Sequence, residues 1–140
     1  MNIRMWRAKF AEHPNASKVT ELILGCWSTE MYDETPDDAL EKLIEVAPKL
    51  ANIEALMWGD ITYEESEISW IQNAGLSALV HAFPNLREFR ARGGNDLELD
   101  DLEHEKLEKL VLETGGMSAK LINDAVNCKC PEMKHFELWL

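Results

Sequence analysis

Apolar residues recur along this chain in one spacing: an apolar position, two others, an apolar position, one other, and a third apolar position. Val19, Leu22 and Leu24 fit it, as do Leu50, Ile53 and Ala55. Leu86, Phe89 and Ala91 follow, then Leu107, Leu110 and Leu112, then Met133, Phe136 and Leu138. The alternating half of each copy predicts a short strand with one buried face. Pro48, Pro84 and Pro131 stand two residues ahead of three copies, and Gly59, Gly93-Gly94 and Gly115-Gly116 follow three of the strands. Proline before a strand and glycine after it punctuate strands bounded by turns. Between the strands the period changes. Thr35-Pro36-Asp37-Asp38 offers a cap and early acids ahead of Ala39, Leu40, Leu43, Ile44 and Ala47, which share one helical face. Ile71, Leu76, Leu79, Val80 and Phe83 predict a second helix, and Leu121, Ile122, Ala125 and Val126 a third. The stretch between Ala91 and Leu107 leaves room only for a turn or a single helical turn around Leu97 to Leu102.

The copies begin at 19, 50, 86, 107 and 133, in steps of 31, 36, 21 and 26 residues. Leucine-rich repeats run about 20–29 residues, so the two long steps hold fuller helices. No single unit can bury its apolar face alone, and parallel stacking buries one continuous core. The predicted fold class is therefore α/β. It is an irregular leucine-rich-repeat solenoid with about five parallel strands on the concave face and helices on the convex face. A doubly wound sheet also alternates strand and helix, but the fixed internal spacing favours the solenoid. One domain, 1–140, is expected, with a flank at 1–17 and repeats starting near 18, 49, 85, 106 and 132.

Composition narrows the partners. The 140 residues carry 26 acidic against 14 basic side chains, a formal net charge of −12. That balance repels phosphate backbones and anionic lipid, which argues against nucleic acid and membrane surfaces; a basic partner would fit the surplus acid, but plain solubility explains it better. Three cysteines, Cys26, Cys128 and Cys130, do not form a disulfide framework and point to a reducing, cytoplasmic setting. The first ten residues lack the apolar run of a signal peptide, and no stretch approaches the ~20 apolar residues of a membrane helix.

With Leu22 and Leu24 inward, the alternate residues point to the concave face. The candidate partner-binding residues there are Leu56, Arg90, Arg92, Glu113, His135, Glu137 and Trp139. Across adjacent strands Glu54 is expected to face Arg90, Glu88 to face Lys109, and Arg92 to face Glu113. Such pairs can simply hold the sheet, at ~0.2–1 kcal/mol each. Alternatively, Arg90 and Arg92, flanked by Leu56 and Trp139, anchor a partner, since arginine and tryptophan are enriched at binding hot spots. Five strands give a face of only ~330 Å² in projection, against ~800 Å² per partner in a specific interface, so adjoining loops must contribute.

Two clusters invite chemistry. Glu64, Glu65 and Glu67 sit in the acidic loop 60–67, but lack the regular ligand spacing and turn glycine of a calcium loop and read better as a solvated helix start, with Trp70 and Ile71 in the core. Cys128-Lys129-Cys130 lacks the second cysteine pair of a zinc site. No nucleophile elbow, P-loop or dinucleotide fingerprint is present. The expected function is a non-catalytic protein-protein interaction scaffold, with no catalytic residue, metal or cofactor. The alternatives are a metal-binding or hydrolytic domain using the acidic loop or Cys128 and Cys130, and a structural segment of a larger repeat protein.

Several stretches resemble a family of uncharacterised bacterial leucine-rich-repeat proteins: Gly59-Asp60-Ile61, Glu67-Ile68-Ser69-Trp70-Ile71, Phe83-Pro84-Asn85-Leu86, Arg92-Gly93-Gly94, Glu113-Thr114-Gly115-Gly116 and Glu137-Leu138-Trp139-Leu140. The resemblance implies the repeat architecture and no assigned activity. Members of that family continue past the Glu-Leu-Trp-Leu segment, so this chain reads as a short member or as a fragment of a longer repeat protein. The ninth repeat position, often asparagine in such repeats, holds Trp27, Trp58, Gly94 and Gly115, so the turns need other support. Met133 to Leu140 is expected to be an uncapped edge strand, which invites a homodimer through antiparallel terminal strands.

Overall fold

Five strands form, four of them where alternating apolar residues were expected and the second displaced along the chain: β1 (Glu21–Leu24), β2 (Ala55–Trp58), β3 (Glu88–Arg92), β4 (Lys109–Glu113) and β5 (His135–Trp139). The computed structural model describes residues 9–27 and 35–139. The strands make one sheet in the order β1-β2-β3-β4-β5, and each neighbouring pair is parallel. Every interface opens with the same device, two consecutive N–H groups converging on one carbonyl of the preceding repeat. Glu54 and Ala55 meet the Thr20 carbonyl at 2.7 and 3.1 Å, and Arg87 and Glu88 meet that of Glu54 at 2.7 and 2.9 Å. Glu108 and Lys109 meet Arg87 at 2.8 and 2.9 Å, and Lys134 and His135 meet Glu108 at 2.8 and 3.0 Å. One bonding scheme used four times, with sequential parallel strands and helices between them, is the architecture of a leucine-rich-repeat-like solenoid segment.

The register corrects the second repeat. Leu22 pairs Leu56, Leu56 pairs Phe89, Phe89 pairs Leu110 and Leu110 pairs Phe136. The second copy is thus Ile53, Leu56 and Trp58, three residues beyond the expected Leu50, Ile53 and Ala55, and the steps become 34, 33, 21 and 26. Both triplets have the right spacing in sequence. Burial decides between them: the observed register removes Leu56 and Trp58 from water, whereas the other would bury Ala55 and expose a leucine. Leu50 is buried too, at the end of a 3-10 turn, Ala47–Leu50.

Three helices lie between strands: α1 (Asp37–Val46), α2 (Ser77–His81) and α3 (Ala119–Val126). Helix α1 buries Ala39, Leu40 and Leu43, as its period predicts. Its cap does not come from Thr35; Pro36 occupies the N-cap without a side-chain bond, and the Thr35 hydroxyl meets the Asp37 carboxylate instead. The second helix is shorter than expected. Ile71 is buried ahead of it, in a segment where Gln72 bridges Asn95 and Gly75 bridges Glu98 in parallel fashion. In α3 Ser118 accepts the Leu121 N–H at 3.1 Å, and Leu121 and Ala125 are buried, but Val126 is exposed. Between β3 and β4 the return segment is turns and bridges, with Leu97, Leu99 and Leu102 buried. Among the described residues no helix is long and apolar enough to cross a membrane.

Candidate functional site

The sheet has one face packed on the core and one open face, and the open face is built from three rows of side chains. The parallel register aligns Glu21, Ala55, Glu88, Lys109 and His135 in the first row, and Ile23, Met57, Arg90, Val111 and Glu137 in the second. Arg92, Glu113 and Trp139 form the third. Six of the seven expected residues, Arg90, Arg92, Glu113, His135, Glu137 and Trp139, therefore stand together on β3, β4 and β5. Leu56 does not join them. It points into the core at 2% exposure, and Ala55 and Met57 take the outward positions of β2.

Glu113 is the centre of this cluster. Although it faces outward, its side chain is only 4% exposed, because two arginines close over it: Arg92 Nε at 2.8 Å and Arg90 Nε at 3.5 Å, one to each carboxylate oxygen. Arg92 also donates from Nη1 to the Ile61 carbonyl at 2.9 Å. Two charge-assisted bonds of this kind fix a guanidinium rigidly, so Arg92 is a structural brace. Arg90 is more exposed, at 43%, and its contact is longer. On β5, Glu137 accepts from Trp139 Nε1 at 2.6 Å and lies 3.2 Å from His135 Nε2. These bonds hold its carboxyl below the usual range, the tryptophan first, then His135, with Arg90 adding charge attraction. The expected Glu88–Lys109 pair forms at 3.7 Å. The expected Glu54–Arg90 pair does not, because the shifted register puts Met57 opposite Arg90.

The other two clusters have structural explanations. The acidic loop is a turn followed by a 3-10 segment, Ile68–Trp70, rather than a helix start. Glu65 accepts the Thr62 N–H at 2.9 Å and Glu67 accepts the Ser69 hydroxyl at 3.2 Å, which are loop-closing bonds. Trp70, expected in the core, is half-exposed, whereas Ile71 is fully buried. Cys130 is buried, and burial, reinforced by neighbouring Cys128, pushes its thiol from 9.0 up to about 12. Such a thiol resists becoming the thiolate that a nucleophile or metal ligand requires. Cys26 lies across the sheet, just beyond β1. Among the described residues no three His, Cys, Asp or Glu side chains converge on a point where they could hold a metal. His104 is buried and structural: its Nε2 lies 2.9 Å from the Phe83 carbonyl while Nδ1 accepts the Lys106 N–H at 3.1 Å.

The motif glycines are explained by packing. A Cβ on Gly94 would come within 2.9 Å of the Ser69 Cα, and one on Gly115 within 3.0 Å of the Ser69 Cβ. Asn95 Nδ2 ties the same turn down at 3.0 Å from the Ser69 carbonyl. The Glu-Ile-Ser-Trp-Ile stretch thus packs against Gly93, Gly94 and Gly115 at the far end of the strands, while a Cβ on Gly116 would meet nothing within 4 Å. Residues that sequence reasoning missed include Ala55 and Met57, hidden by the register error, and Asn73, whose role depends on contacts far along the chain.

No protein-family model matches the chain, and no curated protein matches it. Among solved structures, the crystal structure of a protein from Bacteroides fragilis superimposes with a TM-score of 0.87 at 28% identity. The alignment covers 96% of this chain and 38% of that one, so the chain spans little over a third of the length of the protein it resembles.

Proposed function

We propose that this chain is a non-catalytic protein-interaction module whose open sheet face receives a protein partner. The observation that carries the reading is the segregation of roles within the arginine–carboxylate cluster. Arg92 and Glu113 are locked together, Glu113 buried and Arg92 largely covered, while Arg90, His135 and Trp139 remain accessible around them. A rigid, pre-organised base under exposed arginine and aromatic side chains is the composition of a binding hot spot. The strand face alone is small, so the loops beyond the strands, with exposed Tyr63 and Trp70, extend the surface toward the ~800 Å² of a specific interface.

The test uses affinity capture with quantified partners, comparing wild type with Arg90→Glu/Trp139→Ala and, as a control remote from the sheet, Lys42→Glu on α1. The expected result is a defined partner lost with the face variant and kept with the control. Partners retained by a folded Arg90→Glu/Trp139→Ala chain would remove the proposal. Arg92 is left alone, because its loss would unlock Glu113 and confuse folding with binding. A second reading, a structural segment of a larger repeat protein, draws support from the greater length of the B. fragilis protein and from the apolar end of the sheet beyond β5. The two are compatible, since added repeats would widen the same face.

A further inference from the structure

The open face holds a hollow outside the arginine–carboxylate cluster. In the first row Ala55 stands between Glu21 of β1 and Glu88 of β3. Its single methyl group, where its neighbours carry long side chains, leaves an opening of about 240 Å³ lined by Glu21, Ile23, Ala55, Met57, Glu88 and Arg90 among others. A neighbouring opening of about 130 Å³ shares Glu21, Ala55 and Glu88 and adds Thr20, Glu54 and Arg87, the last paired with Glu108 at 3.5 Å.

We propose that this hollow receives a lysine or arginine side chain of the protein partner. Its aliphatic stem would lie along Ile23, Ala55 and Met57, and its cation between Glu21 and Glu88. The inference rests on the reading of the open face as an interaction surface and adds the chemistry of what it accepts.

Two features select that occupant. The floor and one wall are apolar, and Ile23 is 62% exposed, so a hydrocarbon stem finds a surface that water now covers. The charges are divided along the hollow. At the β1–β2 end, Glu21 and Glu54 have no ion-pair partner among the described residues, and Glu88 has only Lys109 at 3.7 Å. At the other end the two cations are already engaged, Arg90 with Glu113 and Lys109 with Glu88. A cation entering beside Glu21 and Glu54 meets carboxylates with no ion-pair partner among the described residues and shares Glu88 with Lys109, whereas an anion entering beside Arg90 must compete with Glu113. The net charge of −12 draws basic partners from a distance, which speeds encounter without choosing a site.

The experiment is an amide chemical-shift titration of the full chain with acetyl-Ala-Thr-Lys-Thr-Ala-amide and with its norleucine and glutamate counterparts at the central position. The lysine peptide is expected to move the Ile23, Ala55 and Met57 amides saturably, and the other two peptides are not. Ala55→Leu fills the hollow without changing net charge. It should weaken the lysine peptide about fivefold or more, as should Glu21→Gln/Glu88→Gln. Equal binding of the lysine peptide by Ala55→Leu would reveal diffuse attraction to an acidic surface and overturn the proposal. So would preference for the glutamate peptide, or no saturable shift with lysine. A partner lost on Arg90→Glu/Trp139→Ala but indifferent to Ala55→Leu would leave the interaction face standing and remove the hollow alone.

Discussion

Trp58 and Asn73 meet beneath the far end of the sheet, where the indole Nε1–H of Trp58 donates to Asn73 Oδ1 at 3.0 Å and Asn73 Nδ2 donates onward to the Arg92 carbonyl at 3.0 Å. Both side chains are buried. Trp58 also stacks on Trp27, with ring centroids 5.1 Å apart. One asparagine thus does for two repeats what an asparagine ladder does for a regular array: it satisfies backbone at the turn after a strand. Replacing it by Asn73→Leu strands a buried indole N–H and weakens the support of a carbonyl, at a cost of about 2–4 kcal/mol. Urea unfolding should show that loss as a lower midpoint with unchanged slope. A loss below about 1 kcal/mol would mean that water replaces the amide.

The strands, the parallel order and the face of Arg90, Arg92, Glu113, His135, Glu137 and Trp139 were legible because alternation and fixed spacing are local signals. The second repeat was not. Leu50, Ile53 and Ala55 overlap with Ile53, Leu56 and Trp58 as two triplets of the same spacing, and only the competition for core volume separates them. Leu56 was misplaced for that reason, and with it the Ala55 hollow. Val126 and Trp70 failed differently. Each lies on an apolar pattern, but Val126 finds nothing packed over it, and the short Ile68–Trp70 turn aims Trp70 outward. Asn73 carries no local signature, since its partners lie 15 and 19 residues away.

The role assigned to Glu113 can be checked by contrast with Arg90. Glu113→Ala removes the carboxylate shared by both guanidinium groups and leaves Arg92, largely covered, without its anion. Breaking a buried pair this way should cost about 3 kcal/mol, the low end for such pairs because Arg92 keeps some solvent and its bond to Ile61. Arg90→Ala, at a half-exposed and longer contact, should cost under about 1 kcal/mol. Equal losses from the two variants would contradict the division between brace and contact residue.

Thiol chemistry should distinguish the cysteines. Cys26 is exposed and should alkylate readily in the native chain, whereas Cys130, buried and pushed up to about 12, should react only on unfolding. The same shift has a pH consequence. Below pH about 9 both folded and unfolded chains keep this thiol protonated. Between about 9 and 12 the unfolded chain ionises it first, so its contribution to stability is lost as pH rises. Urea midpoints of wild type and Cys130→Ala, followed across that window, should converge with rising pH. A constant gap would mean that Cys130 does not carry the effect.

The last expectation concerns β5, which pairs with β4 on one side and is the outer strand of the sheet among the described residues. The His135 N–H and the Trp139 carbonyl both turn toward the β4 side, so the backbone groups of Phe136 and Leu138 face away from it. On the inward row the positions equivalent to Phe136 are buried in β1 to β4, while Phe136 itself is 37% exposed. An open edge beside uncovered apolar side chains invites a further strand. In a second copy related by a two-fold axis through Phe136, His135 would stand opposite Glu137 and the two Phe136 rings would meet. An axis through Glu137 would instead oppose two carboxylates, which disfavours that register. Self-association should strengthen with salt, because the −12 charge of each chain repels and ions screen exposed charges beyond ~10 Å at about 0.1 M. Sedimentation equilibrium at low and high salt measures this. Leu138→Pro is the control: it deletes an outward N–H while sparing the β4 ladder, and it should yield a folded monomer. A dimer that survives Leu138→Pro unchanged, or a chain that stays monomeric at high salt and high concentration, would rule out pairing through this edge.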